Sequence, residues 1–291
     1  MKPPPFEYRA PERLDDVLAL LSQYGSDARV LAGGQSLIPL LNLRMAQYDL
    51  IIDLNRCTEL QHIDETEQGL SFGAMVRQRD AMLSPLTKER CPLIANALER
   101  AGPIAVRNRA TVGGTLAHAD RSAELPGVAM ALEASFIIAR TDGQREVPAS
   151  EFFLGDMTTV IEPEELLTSI RFPSTPKGSY TSFQEVGVRR EGVALVGLAA
   201  MIDVDDKSIV QGARLALTGV EPTPVRLGDI EMMITGREIS SQMSIEASER
   251  TSMIIEPNDD GFISADYRRR VSGALVRRAL DAARAKEGIE V

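Results

Sequence analysis

Two short segments of this chain carry the residue types that hold phosphate groups through the main chain. The first reads Ala32-Gly33-Gly34-Gln35-Ser36-Leu37 and the second Val112-Gly113-Gly114-Thr115-Leu116. In each, a glycine pair follows a β-like run, and hydroxyl-bearing residues follow. Paired glycines let successive amides turn into one concavity and let an anionic group come close. Ser36 and Thr115 can add hydroxyl donors. Two such segments facing each other would hold both phosphates of a dinucleotide without a lysine. Glycine pairs alone prove little, because a chain of 291 residues contains about one or two by chance.

Other chemistries find less support. Gly34-Gln35-Ser36-Leu37-Ile38 resembles a nucleophile elbow, but Ile38 stands where the second glycine relieves crowding at the strained turn. His62 and His118 lie far apart with no metal-ligand spacing, so each reads as an ordinary histidine rather than a zinc ligand. No Walker A loop and no G-x-G-x-x-G fingerprint is present. Cys57 and Cys91 lack C-x-x-C spacing and are too few for an iron–sulfur cluster, which takes about four cysteines.

The elements that must position these segments are legible in outline. Pro11 to Gly25 reads as a helix with Leu14, Val17, Leu18 and Leu21 on one stripe. Arg29 to Ala32 and Leu50 to Leu54 have strand length and composition. Gly69 to Met75 reads as a strand leading to a helix near Val76 to Leu83. A helix from Leu93 to Ala101 stops at Gly102-Pro103. Gly127 to Ala134 reads as a helix, and Ser135 to Arg140 as a strand turning back at Asp142-Gly143.

Composition shifts at Pro163 to Gly178, which places the main boundary near Lys177. The expected division is 1–176 and 177–291, with subdomains of about 1–56 and 57–176. Beyond the boundary, Thr181 to Val188, Val193 to Val204 and Ile209 to Val220 predict a three-stranded antiparallel meander turning at Asp205-Asp206-Lys207. The last helix starts near Ser264, a good N-cap, and Val271, Leu275, Ala279 and Ala283 repeat along it. Arg268-Arg269-Arg270 and Arg277-Arg278 share that helix with Asp281 and Glu287, so a solvated face is favoured over a docking patch. Strands followed by helices give an α+β class.

Bulk properties set limits. The net charge of −10 opposes nucleic-acid binding. The first residues lack a signal-peptide core, and the longest apolar run, Val193 to Ile202, is too short to span a bilayer as a helix. A cytoplasmic location is therefore expected.

The residues around the glycine pairs carry a closer resemblance. Leu31-Ala32-Gly33-Gly34-Gln35-Ser36-Leu37-Ile38-Pro39-Leu40-Leu41-Asn42-Leu43-Arg44 resembles the first flavin loop of the FAD-binding medium subunits of molybdenum hydroxylases. Val106-Arg107-Asn108-Arg109-Ala110-Thr111-Val112-Gly113-Gly114-Thr115-Leu116-Ala117-His118-Ala119-Asp120 is similar to the second, and Ser264 to Arg270 with Leu275 to Leu280 to the C-terminal helix. The family includes aerobic carbon monoxide dehydrogenases, N-heterocycle hydroxylases and the flavin segment of xanthine dehydrogenases. The similarity runs over essentially the whole chain.

The resemblance implies an FAD-binding fold of the vanillyl-alcohol-oxidase type, built from two α/β subdomains, followed by a small α+β domain. It implies a large partner subunit with the molybdenum cofactor and a small one with iron–sulfur clusters, assembled as a dimer of heterotrimers. Leu31, Ala32, Gly33, Gly34, Gln35, Ser36, Leu37 and Ile38, with Thr111, Val112, Gly113, Gly114 and Thr115, would bind the FAD diphosphate and nearby atoms. Ala101 would lie against the cofactor, Glu124 would contact the adenosine ribose, and Leu166 would pack near a ring. Glu185 stands where relatives commonly carry a lysine near the flavin, and Val193 where many carry an aromatic residue. Both departures bear on the flavin potential and the acceptor. The resemblance supplies no catalytic acid, base or nucleophile. A self-sufficient flavin oxidase and a cofactor-free structural subunit are the alternatives.

Overall fold

In the computed structural model, which describes residues 2–189, 192–261 and 263–286, the chain opens with strand β1 (Glu7–Arg9) and helix α1 (Leu14–Tyr24). Val17, Leu18 and Leu21 lie on one buried face of α1, and Gly25 ends the helix at φ +49°, which a residue without a Cβ does most easily. The helix begins at Leu14 rather than Pro11, with Arg13 as its N-cap. Strand β2 (Ala28–Leu31), helix α2 (Leu37–Asn42) and strand β3 (Leu50–Asp53) follow. The three strands form a parallel sheet in the order β1-β3-β2. Leu50, Ile51 and Ile52 are all buried, as befits the central strand of a parallel sheet.

A second sheet opens with β4 (Ile63–Glu65) and β5 (Gly69–Gly73). Six helices come next: α3 (Gln78–Leu83), α4 (Pro85–Arg90), α5 (Pro92–Leu98), α6 (Ile104–Arg107), α7 (Val112–His118) and α8 (Glu124–Ala131). Strands β6 (Ser135–Arg140) and β7 (Gly143–Pro148) form the hairpin expected at Asp142-Gly143. After α9 (Ala149–Phe152) and the ribbon of β8 (Phe153–Gly155) and β9 (Thr158–Thr159), strand β10 (Leu166–Pro173) enters the middle of the sheet. The order is β4-β5-β10-β6-β7, with every neighbouring pair antiparallel. Phe72, Phe136, Phe152 and Phe172 are fully buried in its core.

The third sheet contains the expected meander of β11 (Tyr180–Gly187), β12 (Ala194–Val204) and β13 (Val210–Thr218), but it has four strands rather than three. The fourth, β14 (Val225–Arg226), pairs with β13 and is too short to leave a periodic signal. Helices α10 (Gly228–Ile234), α11 (Ser241–Ile254) and α12 (Ala265–Lys286) complete the chain. The apolar run in β12 has a physical reason. Val196, Leu198, Ala200 and Ile202 pack with Leu275, Ala279 and Leu280 of α12. Ala199 and Met201 point the other way and join the core of the second sheet. A strand covered on both faces reads as continuous apolar sequence rather than alternation.

Ser264 caps α12 as expected, its hydroxyl accepting from the amide of Tyr267 at 3.2 Å. The arginines of α12 do not share one environment. Arg270, Arg277 and Arg278 are exposed, whereas Arg268 is buried at 2% exposure. Arg268 pairs with Asp260 and donates to the carbonyl of Asn258 at 2.8 Å. Asp260 also pairs with Arg121 at 3.1 Å, tying α12 to the segment before α8. The solvated-face reading therefore fails at Arg268. Glu287, assigned to the same face, lies outside the described residues. Among the described residues no helix is long and apolar enough to cross a membrane.

Candidate functional site

Strand β2 delivers its chain end into a turn made by Ala32, Gly33 and Gly34. Gly34 sits at φ +75°, where a side chain is strained. The turn leaves the amides of Gly34, Gln35 and Ser36 without an acceptor among the described residues. Ser36 precedes α2 but its hydroxyl makes no capping bond. Gln35 folds its amide nitrogen back onto the Gly33 carbonyl at 3.1 Å. The result is a short row of unspent main-chain donors with a hydroxyl at its end. Such a row suits an anion.

The second segment departs from expectation. Val112-Gly113-Gly114 is not a loop but the first turn of α7, and its amides are already spent within the chain. Val112 donates to Val76 O at 2.9 Å, Gly113 to Ala74 O at 3.0 Å and Thr115 to Thr111 O at 3.1 Å. Thr111 is the N-cap, and its hydroxyl takes the Gly114 amide at 3.0 Å. Val112 is fully buried and does not face the cleft described below. What this segment offers is close approach and hydroxyls rather than free amides. Thr115 Oγ1 accepts from Nε2 of the buried Gln78 at 2.8 Å, which leaves its proton for another acceptor.

The two segments meet. A Cβ on Gly33 would overlap the carbonyl of Arg109, and one on Gly114 would sit 2.6 Å from Thr111 Oγ1 and 3.3 Å from Ala32 Cβ. Glycine is what allows the backbones this close. Between them runs a cleft of about 470 Å³, lined by Ala32 to Leu37 on one side and by Thr111, Gly113, Gly114 and Thr115 on the other. Leu21, Val30, Tyr48, Ile161 and Leu166 give it apolar walls. A recess of about 460 Å³ shares Ala32 to Gln35 and adds Leu31, Ile38, Asp53, Asn55 and Arg109. Unspent amides, two hydroxyls and an apolar wall fit a dinucleotide with a diphosphate at the glycines and a ring against the wall.

Ala101, Glu124 and Glu185 lie elsewhere and line neither space. Arg107 donates to the carbonyls of Ala101 and Gly102. Glu124 opens α8 and is buried. Burial pushes its pKa up to about 7, with the fields of Glu185 and Asp120 adding to the rise and Arg107 opposing it. Glu185, on β11, is also raised by burial against the pull of Arg100. Its Oε2 has no hydrogen-bond partner. Glu124 on α8 thus feels the charge of Glu185 on β11, with Arg107 and Arg100 nearby to offset it. Val193, at the start of β12, is exposed.

Sequence reasoning missed the residues that fasten the cleft. Arg77, just before α3, donates to the carbonyl of Arg109 and to Oδ1 of Asn55. Asn55 in turn donates to the Ala32 carbonyl at 3.0 Å. Asp53 accepts from the Asn55 amide at 2.9 Å and from the Tyr8 hydroxyl at 2.6 Å. Gln78 holds Thr115, and Tyr48 and His118 line the cleft. Only the position of Asp53 at the end of β3 and of Asn55 just beyond it hinted at a site, since ligands gather at strand carboxyl ends.

Residues 4–175 match the family described as the FAD binding domain in molybdopterin dehydrogenase. Residues 181–283 match the CO dehydrogenase flavoprotein C-terminal domain. The carbon monoxide dehydrogenase medium chain of Hydrogenophaga pseudoflava is 37% identical, over 98% of this chain and 99% of the relative, and its solved structure superposes with a TM-score of 0.94. The glyceraldehyde dehydrogenase medium chain of Sulfolobus acidocaldarius is 36% identical over 96% of this chain and 98% of its own. A chain of quinoline 2-oxidoreductase from Pseudomonas putida 86 has a TM-score of 0.93 at 34% identity, covering 99% of both chains. Matched along nearly its whole length in sequence and in fold, this chain belongs to the FAD-binding medium subunits of the molybdenum hydroxylase family.

Proposed function

We propose that this chain binds FAD between the Gly33-Gly34 turn and the start of α7, and relays electrons through it inside a molybdenum–iron–sulfur–flavin hydroxylase. The electrons come from iron–sulfur clusters on a small partner subunit and leave to an external acceptor. A large partner subunit carries the molybdenum cofactor and meets the substrate. The complex is a cytoplasmic dimer of heterotrimers, and nucleic acid has no part in it. The chain divides at residues 176 and 177, with the first part split near residue 56.

When bound, FAD supplies the redox chemistry. The chain's own residues bind and orient it. The amides of Gly34, Gln35 and Ser36 and the hydroxyls of Ser36 and Thr115 take the diphosphate oxygens, and Thr111 holds the Gly114 turn in place beside them. Ala32, Gly33, Gly113 and Gly114 keep the backbones close enough to touch it, with Leu31, Leu37, Ile38 and Leu166 as apolar neighbours. Ala101, Glu124 and Glu185 act from the interface between the second and third sheets. Glu185 lines neither space; its carboxylate would disfavour negative charge on a flavin ring reaching towards β11, the reverse of what a lysine would do there. The names of the relatives span carbon monoxide, glyceraldehyde and quinoline, which suits a subunit whose electron transfer is common to many substrates.

The observation that carries this reading is the convergence of the two glycine pairs on one cleft with unspent amides on one wall. Its test is co-purification from the source cell with a tag on this chain, followed by flavin and metal analysis. The expected result is FAD on this chain with molybdenum and iron in two co-purifying subunits. A chain that purifies alone and turns over small alcohols or amines with oxygen would contradict it.

A further inference from the structure

We propose that Arg77 is a positioning residue for the nucleotide cleft, setting the spacing of its two walls through Asn55. This deepens the reading that the FAD diphosphate lies between them. One wall is the turn after β2, whose Ala32 carbonyl is held at 3.0 Å by Asn55 Nδ2. The other is the approach to α7, where Gly33 packs against the Arg109 carbonyl. Arg77 reaches both: one guanidinium nitrogen donates to Arg109 O and the other to Asn55 Oδ1. A backbone bridge between Arg77 and Thr111 sets the base of the guanidinium beside the same segment.

The chemistry asks for arginine here. Two acceptors on two separate chain segments need a rigid fork with donors on different nitrogens, which lysine lacks. Asn55 is fixed from behind, its amide held by Asp53 and Asp53 held by the hydroxyl of Tyr8. The parallel sheet therefore anchors one arm of the fork and the approach to α7 the other. Burial and the field of Arg109 work against the charge of Arg77, while Asp80 and Asp53 support it. Arg77 lines neither space itself, so it acts on the cleft through the segments it holds.

The test uses the full-length chain with Arg77→Lys and Asn55→Ala. FAD affinity is read by flavin fluorescence, the bound diphosphate by ³¹P NMR and the cofactor-free protein by its melting temperature. Arg77→Lys keeps the charge and removes the fork; Asn55→Ala removes the arm to Ala32 and leaves Arg77 on Arg109. Both variants are expected to bind FAD roughly tenfold or more weakly, as loss of a charge-assisted hydrogen bond implies. The ³¹P resonances should move while the flavin potential stays put. Wild-type affinity in both variants overturns the proposal. So does weakened binding that only tracks a lower melting temperature, with the ³¹P resonances unmoved. Wild-type protein that binds no FAD sinks the underlying reading and this proposal with it.

Discussion

Gly33 packs its α-carbon against the carbonyl of Arg109, so closely that an added Cβ would overlap that oxygen. The contact joins the turn after β2 to the approach to α7, and it is backbone on both sides. Gly33→Ala must therefore push the two segments apart. We expect a stability loss of about 1–3 kcal/mol, typical of an overpacked site, together with loss of bound FAD. Urea unfolding and the visible flavin spectrum check the two effects separately.

Glu124 gives a pH signature. Its burial raises its pKa in the folded protein to about 7, above the ordinary 4.5. The folded state thus holds a proton that the unfolded state has lost across this window. Stability from the neutral carboxyl is complete below about pH 4.5 and falls as pH rises through about 7, by roughly 3 kcal/mol in all. Glu124→Gln should match wild type at pH 5 and exceed it at pH 8. Melting curves at both values test this, and equal gains at both would count against it.

Glu185 presents an unpartnered carboxylate oxygen from β11, in a half-buried position. If it acts on the ring, Glu185→Gln raises the flavin reduction potential, on the order of 30 mV for a two-electron couple when about 1.4 kcal/mol is relieved. Spectroelectrochemistry reads the shift. An unchanged potential removes Glu185 from the flavin's surroundings.

Arg268 is the strongest stability prediction outside the cleft. Its charge is buried and paired with Asp260, which also holds Arg121. Arg268→Ala leaves that carboxylate short of a partner and should cost about 3–5 kcal/mol. Denaturant titration should show a lower midpoint with an unchanged slope. A loss below 1 kcal/mol, the range of an exposed pair, would mean that the pair is solvated.

What the sequence made legible follows from how local each signal is. The turn at Gly34 and the cap at Ser264 are set by neighbours in the chain, and both stand where the residues suggest. The start of α7 is a helix where the residues suggest a loop, because glycine pairs disfavour helices, although Thr111 three residues before Gly114 is a capping signal. Asn55 left only its place after β3 and Arg77 no trace, since their partnership joins distant parts of the chain and neither spacing nor composition records it. Arg268 sat inside a charge cluster, where nothing local distinguishes the buried arginine from its exposed neighbours. Helix periodicity could place Leu275 and Ala279 inside, because apolar burial repeats along α12. A buried ion pair does not repeat.

The central claim is that the facing glycine segments hold FAD, and the most direct measurement is cofactor content and uptake by the purified full-length chain. The account predicts a yellow protein with stoichiometric FAD, or a colourless one that takes up FAD and recovers the flavin spectrum, with Gly33→Ala failing in both. A wild-type chain that stays colourless at saturating FAD, while folded by circular dichroism, would contradict it.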